Sequence, residues 1–199
     1  PAGKTPHVAY LLDLFAHKNT SVISRGYKRK TKGLIEAKRT DTASTIGDEP
    51  LELLLRKPDS SFKMIVDSNR RNALSYLESH KSPTEIAILD DGYQHRYVNR
   101  DANILLSEFN NPFFNDKVFP AGSLREEKQE AKRADIIIFT KCPSSLTPEE
   151  QETYKLKAKK YSSAKIFFTE TQNHGVLNAE NKLEALKKGL LNSLSSMFA

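Results

Sequence analysis

The sequence predicts an α/β fold, a mostly parallel β-sheet flanked by helices. Three observations carry that prediction. Apolar, β-rich runs recur along the chain, several are continuous rather than alternating, and helical patterns lie between them. Continuous apolar runs suit strands buried on both faces. Strand–helix alternation implies right-handed βαβ units.

The elements follow in chain order. Val8, Leu11, Leu12 and Phe15 form a helical stripe within "TPHVAYLLDLFAHK". The first strand is "TSVISR", Thr20–Arg25. The basic segment Arg25–Arg39, "RGYKRKTKGLIEAKR", reads as a loop or hairpin arm. A helix opens at "GDEPLELLLRK", where acids precede a proline. Strands are then expected at Phe62–Asp67, Glu85–Asp90, Ala102–Glu108, Ala134–Lys141 and Ala164–Glu170. "SNRRNALSYLESH" and "TPEEQETYKLKAKKYS" supply further helices, the second with a capping box and proline at its first turn. Beyond Thr171 the rhythm stops. A stripe of Leu183, Leu186, Leu190 and Leu194 reads there as an amphipathic helix.

Composition narrows the function classes. The 199 residues include 31 basic and 25 acidic side chains, net +6. That excess suits a nucleotide, a phosphorylated substrate or an anionic membrane surface, and no nucleic-acid partner is expected. One cysteine excludes an internal disulfide, and Cys142 reads as a small inert residue. No run of 18 apolar residues occurs, so no transmembrane helix or signal peptide is expected within the chain. It begins at Pro1, inside a motif, and a fragment is expected. His7, His80 and His174 read as packed or surface residues.

The motif at the start is "AGKTP". Gly3, Lys4 and Thr5 opening an amphipathic helix resemble the second half of a phosphate-binding loop. A helix N-terminus offers free N–H groups, Lys4 would reach phosphates, and Thr5 would ligate Mg²⁺. "AILDD" supplies the complement, an apolar strand ending in Asp90 and Asp91 beside a nucleotide-bound Mg²⁺. Together they point to a nucleotide–Mg²⁺ site. Asp48 in "GDEP" reads as a helix cap or a functional carboxylate. Arg125 in "FPAGSLRE" is either an exposed helix-start residue or a phosphate grip. In "TKCP", Pro143 stands where a guanine-binding loop carries an acid, so guanine selectivity is not supported.

"GKTPHVAYL", "SRGYKRK", "GDEPLEL", "ILDDGYQHRYVNRDANILL", "PAGSLRE" and "IIIFTKCP" occur in that order. Together they closely resemble the lipid A 4′-kinase (tetraacyldisaccharide 4′-kinase) family over about Pro1 to Glu170, with "TKCP" similar to Bacteroidetes members. The resemblance implies transfer of the ATP γ-phosphate to the 4′-hydroxyl of lipid A disaccharide 1-phosphate, with Mg²⁺, at the cytoplasmic face of the inner membrane. It implies a P-loop NTPase-type α/β fold with a smaller C-terminal lobe, here a kinase core over 1–170 and a divergent or truncated tail over 171–199. Gly3, Lys4 and Thr5 match the family's nucleotide loop, Asp90 and Asp91 its acidic pair near Mg²⁺, and Asp48 the carboxylate that activates the sugar hydroxyl. Arg25, Tyr27, Arg70, Gln94, His95 and Arg125 match positions lining the glycolipid site, Arg125 also neutralising the transferring group. Three departures from the family pattern accompany the match. The apolar N-terminal helix is not in this sequence, only Pro1-Ala2 precede Gly3 where the family reads Gly-Gly-Thr, and no Asp-His-His motif follows. The alternatives are an inactive nucleotide-binding fragment or another P-loop NTPase.

Overall fold

The structure is a computed structural model. It describes residues 2–57, 61–80 and 83–171, and two short strands at 176–177 and 183–184. Helix α1 (Lys4–Leu14) leads to β1 (Thr20–Ser24), β2 (Ile35–Ala37), α2 (Ala43–Ile46) and α3 (Asp48–Arg56). Then follow β3 (Phe62–Val66), α4 (Arg70–Glu78), β4 (Ile86–Leu89) and β5 (Ile104–Glu108). A 3₁₀ turn (Lys128–Arg133) precedes β6 (Ile136–Thr140), α5 (Pro148–Lys159) and β7 (Lys165–Phe168).

The first sheet has the order β2-β3-β1-β4, and β1 is parallel to both neighbours. All five residues of β1 are buried, as its continuous apolar run requires of a central strand. Val8 and Leu12 of α1 and Leu53 and Leu54 of α3 cover one face, on Val22, Met64, Val66 and Ile88. Ala73 and Leu77 of α4 cover the other, on Ile23 and Ile65. The second sheet, β5-β6-β7, is also parallel. Its core is aromatic, with Phe139 fully buried among Phe113, Phe114, Tyr154 and Phe168. Helix α5 carries the expected capping box, Thr147 with Glu150, and proline at its start.

Two expectations change. The basic segment Arg25–Arg39 contains β2, which pairs antiparallel with β3. Three residues at a sheet edge give too short a pattern to stand out among lysines and arginines. In the tail, Val176–Leu177 (β8) pairs antiparallel with Leu183–Glu184 (β9), so Leu183 lies in a strand rather than a helix. Leu186, Leu190, Leu194 and His174 lie outside the described residues.

Parallel pairing puts the carboxyl ends of β1, β3 and β4 on one rim, where ligands bind in open α/β sheets. Asp67 N–H donates to Ser24 O at 3.0 Å and Asp90 N–H to Ile23 O at 2.9 Å, so the two aspartates flank the end of β1.

Candidate active site

Helix α1 starts without an acidic residue in its first turn, and its cap, Gly3, sits at φ 74°. A left-handed residue before a helix leaves the first N–H groups pointing outward, a geometry that suits an anion. Lys4 and Thr5 follow directly. Lys4 Nζ stands 3.5 Å from Asp91 Oδ1, so the starting helix and the β4 rim meet through one ion pair. Arg125 Nη1 donates to Asp91 Oδ2 at 2.8 Å. No helix starts at Arg125; the Pro-Ala-Gly loop delivers it across the rim. Asp91 itself has φ 52°, a left-handed conformation that Asp tolerates better than most residues.

The neighbouring carboxylates differ sharply. Burial raises the Asp91 carboxyl, but the Arg125 guanidinium and the Lys4 ammonium outweigh it and hold the group below its ordinary value. Burial pushes Asp90 up to about 6, with Glu49 adding to it and Lys4 opposing. Asp90 Oδ1 is the one carboxylate oxygen buried without a hydrogen-bond partner among the described residues. Such a group is costly unless something external satisfies it. The oxygen donors Asp90, Asp91 and Thr5 suit a hard divalent cation. Among the described residues no group of three His, Cys, Asp or Glu side chains forms a self-sufficient metal cage. One or two carboxylates completed by phosphate oxygens is the usual arrangement for magnesium.

Glycines join the two other motifs. Gly26 of "SRGY" and Gly47 of "GDEP" sit at φ 67° and 95°. A Cβ on Gly47 would stand 2.9 Å from the Gly26 backbone. This backbone-to-backbone approach brings Arg25 and Tyr27 beside the start of α3. Gly47, not Asp48, is the N-cap of α3; Asp48 is the first helical residue, exposed, and caps nothing. Its carboxylate is thereby left for other work. Glu49, which sequence reasoning missed, acts electrostatically on both Asp90 and Arg125. The adjacent acids in "GDEP" were the available signal.

The remaining residues divide. Arg25, Tyr27 and Gln94 are exposed, and Tyr27 lies under Lys28 Nζ at 5.5 Å from the ring centroid. His95 Nδ1 is 2.7 Å from the Tyr97 hydroxyl. Burial first, then the positive charge of Arg70 and Arg25, lowers its pKa despite Asp91. Arg70 is fully buried, and its guanidinium donates to Asp67 O and to Asp90 O, the latter at 3.2 Å. It ties the ends of β3 and β4 together and presents no surface to a solute, a correction to its expected place in the acceptor lining. Its exposed neighbour Arg71 instead stacks over Tyr97, 4.8 Å from the centroid. Cys142 is buried, burial raises its thiol, and it plays no part in this rim.

Comparisons with known proteins agree with the geometry. The sequence model of the family described as Tetraacyldisaccharide-1-P 4′-kinase matches residues 1–195. A tetraacyldisaccharide 4′-kinase of Porphyromonas gingivalis is 43% identical over 170 residues, 84% of this chain and 47% of the relative. One from Flavobacterium johnsoniae is 40% identical over 168 residues, again 84% of this chain and 49% of the relative. The chain thus spans about half the length of the curated relatives it matches. Among solved structures, LpxK from Aquifex aeolicus in complex with ATP superposes with a TM-score of 0.71 at 31% identity, covering 96% of this chain and 56% of that one. With its motifs, rim geometry and family match in agreement, the chain belongs to the tetraacyldisaccharide 4′-kinase family.

Proposed function

We propose that this chain forms the nucleotide-binding and phosphoryl-transfer core, over residues 1–170, of a kinase that phosphorylates the 4′-hydroxyl of lipid A disaccharide 1-phosphate from ATP. The single observation that carries the proposal is Asp91 held between Lys4 and Arg125, beside a buried Asp90 with an unsatisfied oxygen.

Phosphoryl transfer rests on positioning and charge neutralisation more than on covalent help from the protein. The start of α1 receives the β- and γ-phosphates, with Lys4 as their cation. Asp91 holds Lys4 and Arg125 apart at fixed positions, so both point to one place before substrate arrives. Thr5, Asp90 and Asp91 would hold Mg²⁺, which supplies charge neutralisation of the transferring phosphate. The acceptor 4′-oxygen attacks the γ-phosphorus as the bond to the β-bridging oxygen breaks, and ADP leaves. The proton of the 4′-hydroxyl passes to the Asp48 carboxylate, which is exposed and not engaged as a cap. A sugar hydroxyl is a weak nucleophile near neutral pH, so a carboxylate in reach is what the step needs. Arg25, Tyr27, Gln94 and His95 line the acceptor side of the rim. Net charge +6 supports peripheral docking at the anionic cytoplasmic face of the inner membrane.

Incubation with γ-labelled ATP, Mg²⁺ and lipid A disaccharide 1-phosphate tests the reading. The expected product carries label on the 4′-position, located by mass spectrometry and ³¹P NMR. ATP binding without transfer, or label elsewhere on the sugar, would overturn it.

A further inference from the structure

Of the two cations that meet at Asp91, Arg125 is the more exposed: its side chain is 62% open to solvent, against 33% for Lys4. An ion pair that open gains too little to hold a long, flexible side chain by itself. The backbone that delivers Arg125 must therefore be fixed elsewhere. The adjacent residue, Glu126, has a side chain 19% exposed and is gripped by Arg133. Arg133 ends the 3₁₀ turn directly before β6, the central strand of the second sheet, whose Ile137 and Phe139 are fully buried. Its guanidinium serves two loops at once. On the Arg125 side, Nη2 donates to the Glu126 carboxylate, and Nε stands 2.8 Å from Glu130 Oε2. On the Asp91 side, Nη1 donates to the Tyr93 carbonyl at 2.9 Å, and the guanidinium carbon lies 4.3 Å from the centroid of the same tyrosine ring. Tyr93 is two residues beyond Asp91, and its hydroxyl donates to Glu130 O at 2.8 Å. Arg100 Nη1 donates to Gly92 O at 2.7 Å, which pins this loop one residue closer to Asp91.

We propose that Arg133 is a positioning residue for phosphoryl transfer: it clamps the loop carrying Asp91 to the loop carrying Arg125, and so fixes where Arg125 meets the transferring phosphate. The inference rests on the kinase reading for the step that Arg125 serves. Arginine suits this post because its planar fork engages a carboxylate and a carbonyl together while its face covers an aromatic ring. A lysine makes one of these contacts at a time. Arg96 is the contrast within the same cluster. It pairs with the same two glutamates, at 3.1 Å to Glu126 and 2.9 Å to Glu130, but its side chain is 57% exposed. Its pairs are screened by solvent and contribute little. Arg133, at 19%, keeps its bonds largely out of water. Arg133 acts through Glu126 and Tyr93 rather than on the phosphate.

The test pairs single-turnover transfer from ATP to lipid A disaccharide 1-phosphate with arginine side-chain NMR of the purified protein. The NMR reads guanidinium rotation about the Nε–Cζ bond, and the Arg125 signal is assigned by its loss in Arg125→Lys. Arg133→Ala is expected to slow transfer about tenfold to 100-fold, with ATP affinity near parental. The double variant Arg125→Ala/Arg133→Ala should be no slower than Arg125→Ala alone, because one residue acts through the other. The Arg125 guanidinium should rotate as freely in Arg133→Ala as in Asp91→Asn. Arg133→Lys should recover part of the rate, and Arg96→Ala should stay within about twofold of the parent. If Arg133→Ala does not fold, Arg133→Lys carries the same comparisons with a smaller loss. Losses that multiply in the double variant, or an Arg125 guanidinium that stays restrained when Arg133 is replaced, would overturn the clamp. Release of Arg125 by Arg133→Ala in a protein that transfers no phosphate would leave the clamp standing and sink the kinase reading.

Discussion

Both sheets end in charged residues at the carboxyl ends of parallel strands, and they treat those charges in opposite ways. At the second sheet, Lys141 follows β6 and pairs with Glu108 of β5 at 2.6 Å, near solvent. Behind the pair, Phe139 and its aromatic neighbours form a packed interior. At the first sheet, Asp90 is buried, raised to about 6, and short of a hydrogen bond, while Arg70 beneath it is buried with Nε unpartnered. The first arrangement settles its charges internally. The second leaves the Asp90 oxygen to be completed from outside. Buried polar groups are normally satisfied, and Asp90 Oδ1, the one buried carboxylate oxygen without a partner among the described residues, marks the rim where a ligand belongs.

Substitutions can break this contrast from either side. The largest expected effect on stability is in the second sheet, where Phe139→Ala should cost about 3–5 kcal/mol in urea unfolding by removing a fully buried aromatic. At the rim, Lys4→Ala should leave stability nearly intact but slow phosphoryl transfer about 10²–10³-fold, measured under single-turnover conditions. Asp90→Asn should do something rarer in the metal-free protein and raise stability, by about 2 kcal/mol at pH 7. The sign follows from linkage. A carboxylate raised from 3.8 to about 6 binds its proton more tightly when folded, so its contribution is fully present below pH 4 and lost as pH rises through 6. Unfolding across pH 4–7 should therefore show a decline that Asp90→Asn flattens. Asp91, held low, bends the curve the other way, losing stability only as pH falls below the ordinary carboxylate range. The smallest effect belongs to Lys141→Met, below about 1 kcal/mol, because exposed pairs contribute little.

Sequence patterns reveal the strands of both sheets because continuous β-branched runs survive any choice of loop geometry. They miss β2, whose three residues pair at an edge inside a basic segment, and the short turns at 43–46 and 128–133. The motifs at Lys4, Asp90, Asp91 and Arg125 are legible by type, but their convergence on one carboxylate is not, because it depends on a loop crossing between the sheets. Side-chain direction is harder still. Arg70 and Arg71 differ by one step of helix, about 100° of rotation, which buries one and exposes the other. Asp48 resembles a cap by residue type, yet Gly47 at φ 95° takes the capping position and shifts both acids of "GDEP" one place into the helix.

The most direct test of the contrast is the single-turnover rate of phosphate transfer from ATP to lipid A disaccharide 1-phosphate by Asp90→Asn, beside that of Lys141→Met. A loss of about 100-fold or more is expected for Asp90→Asn, in a protein at least as stable as its parent, and a parental rate for Lys141→Met. A parental rate in Asp90→Asn would contradict it, since the unsatisfied carboxylate would then have no part in the chemistry.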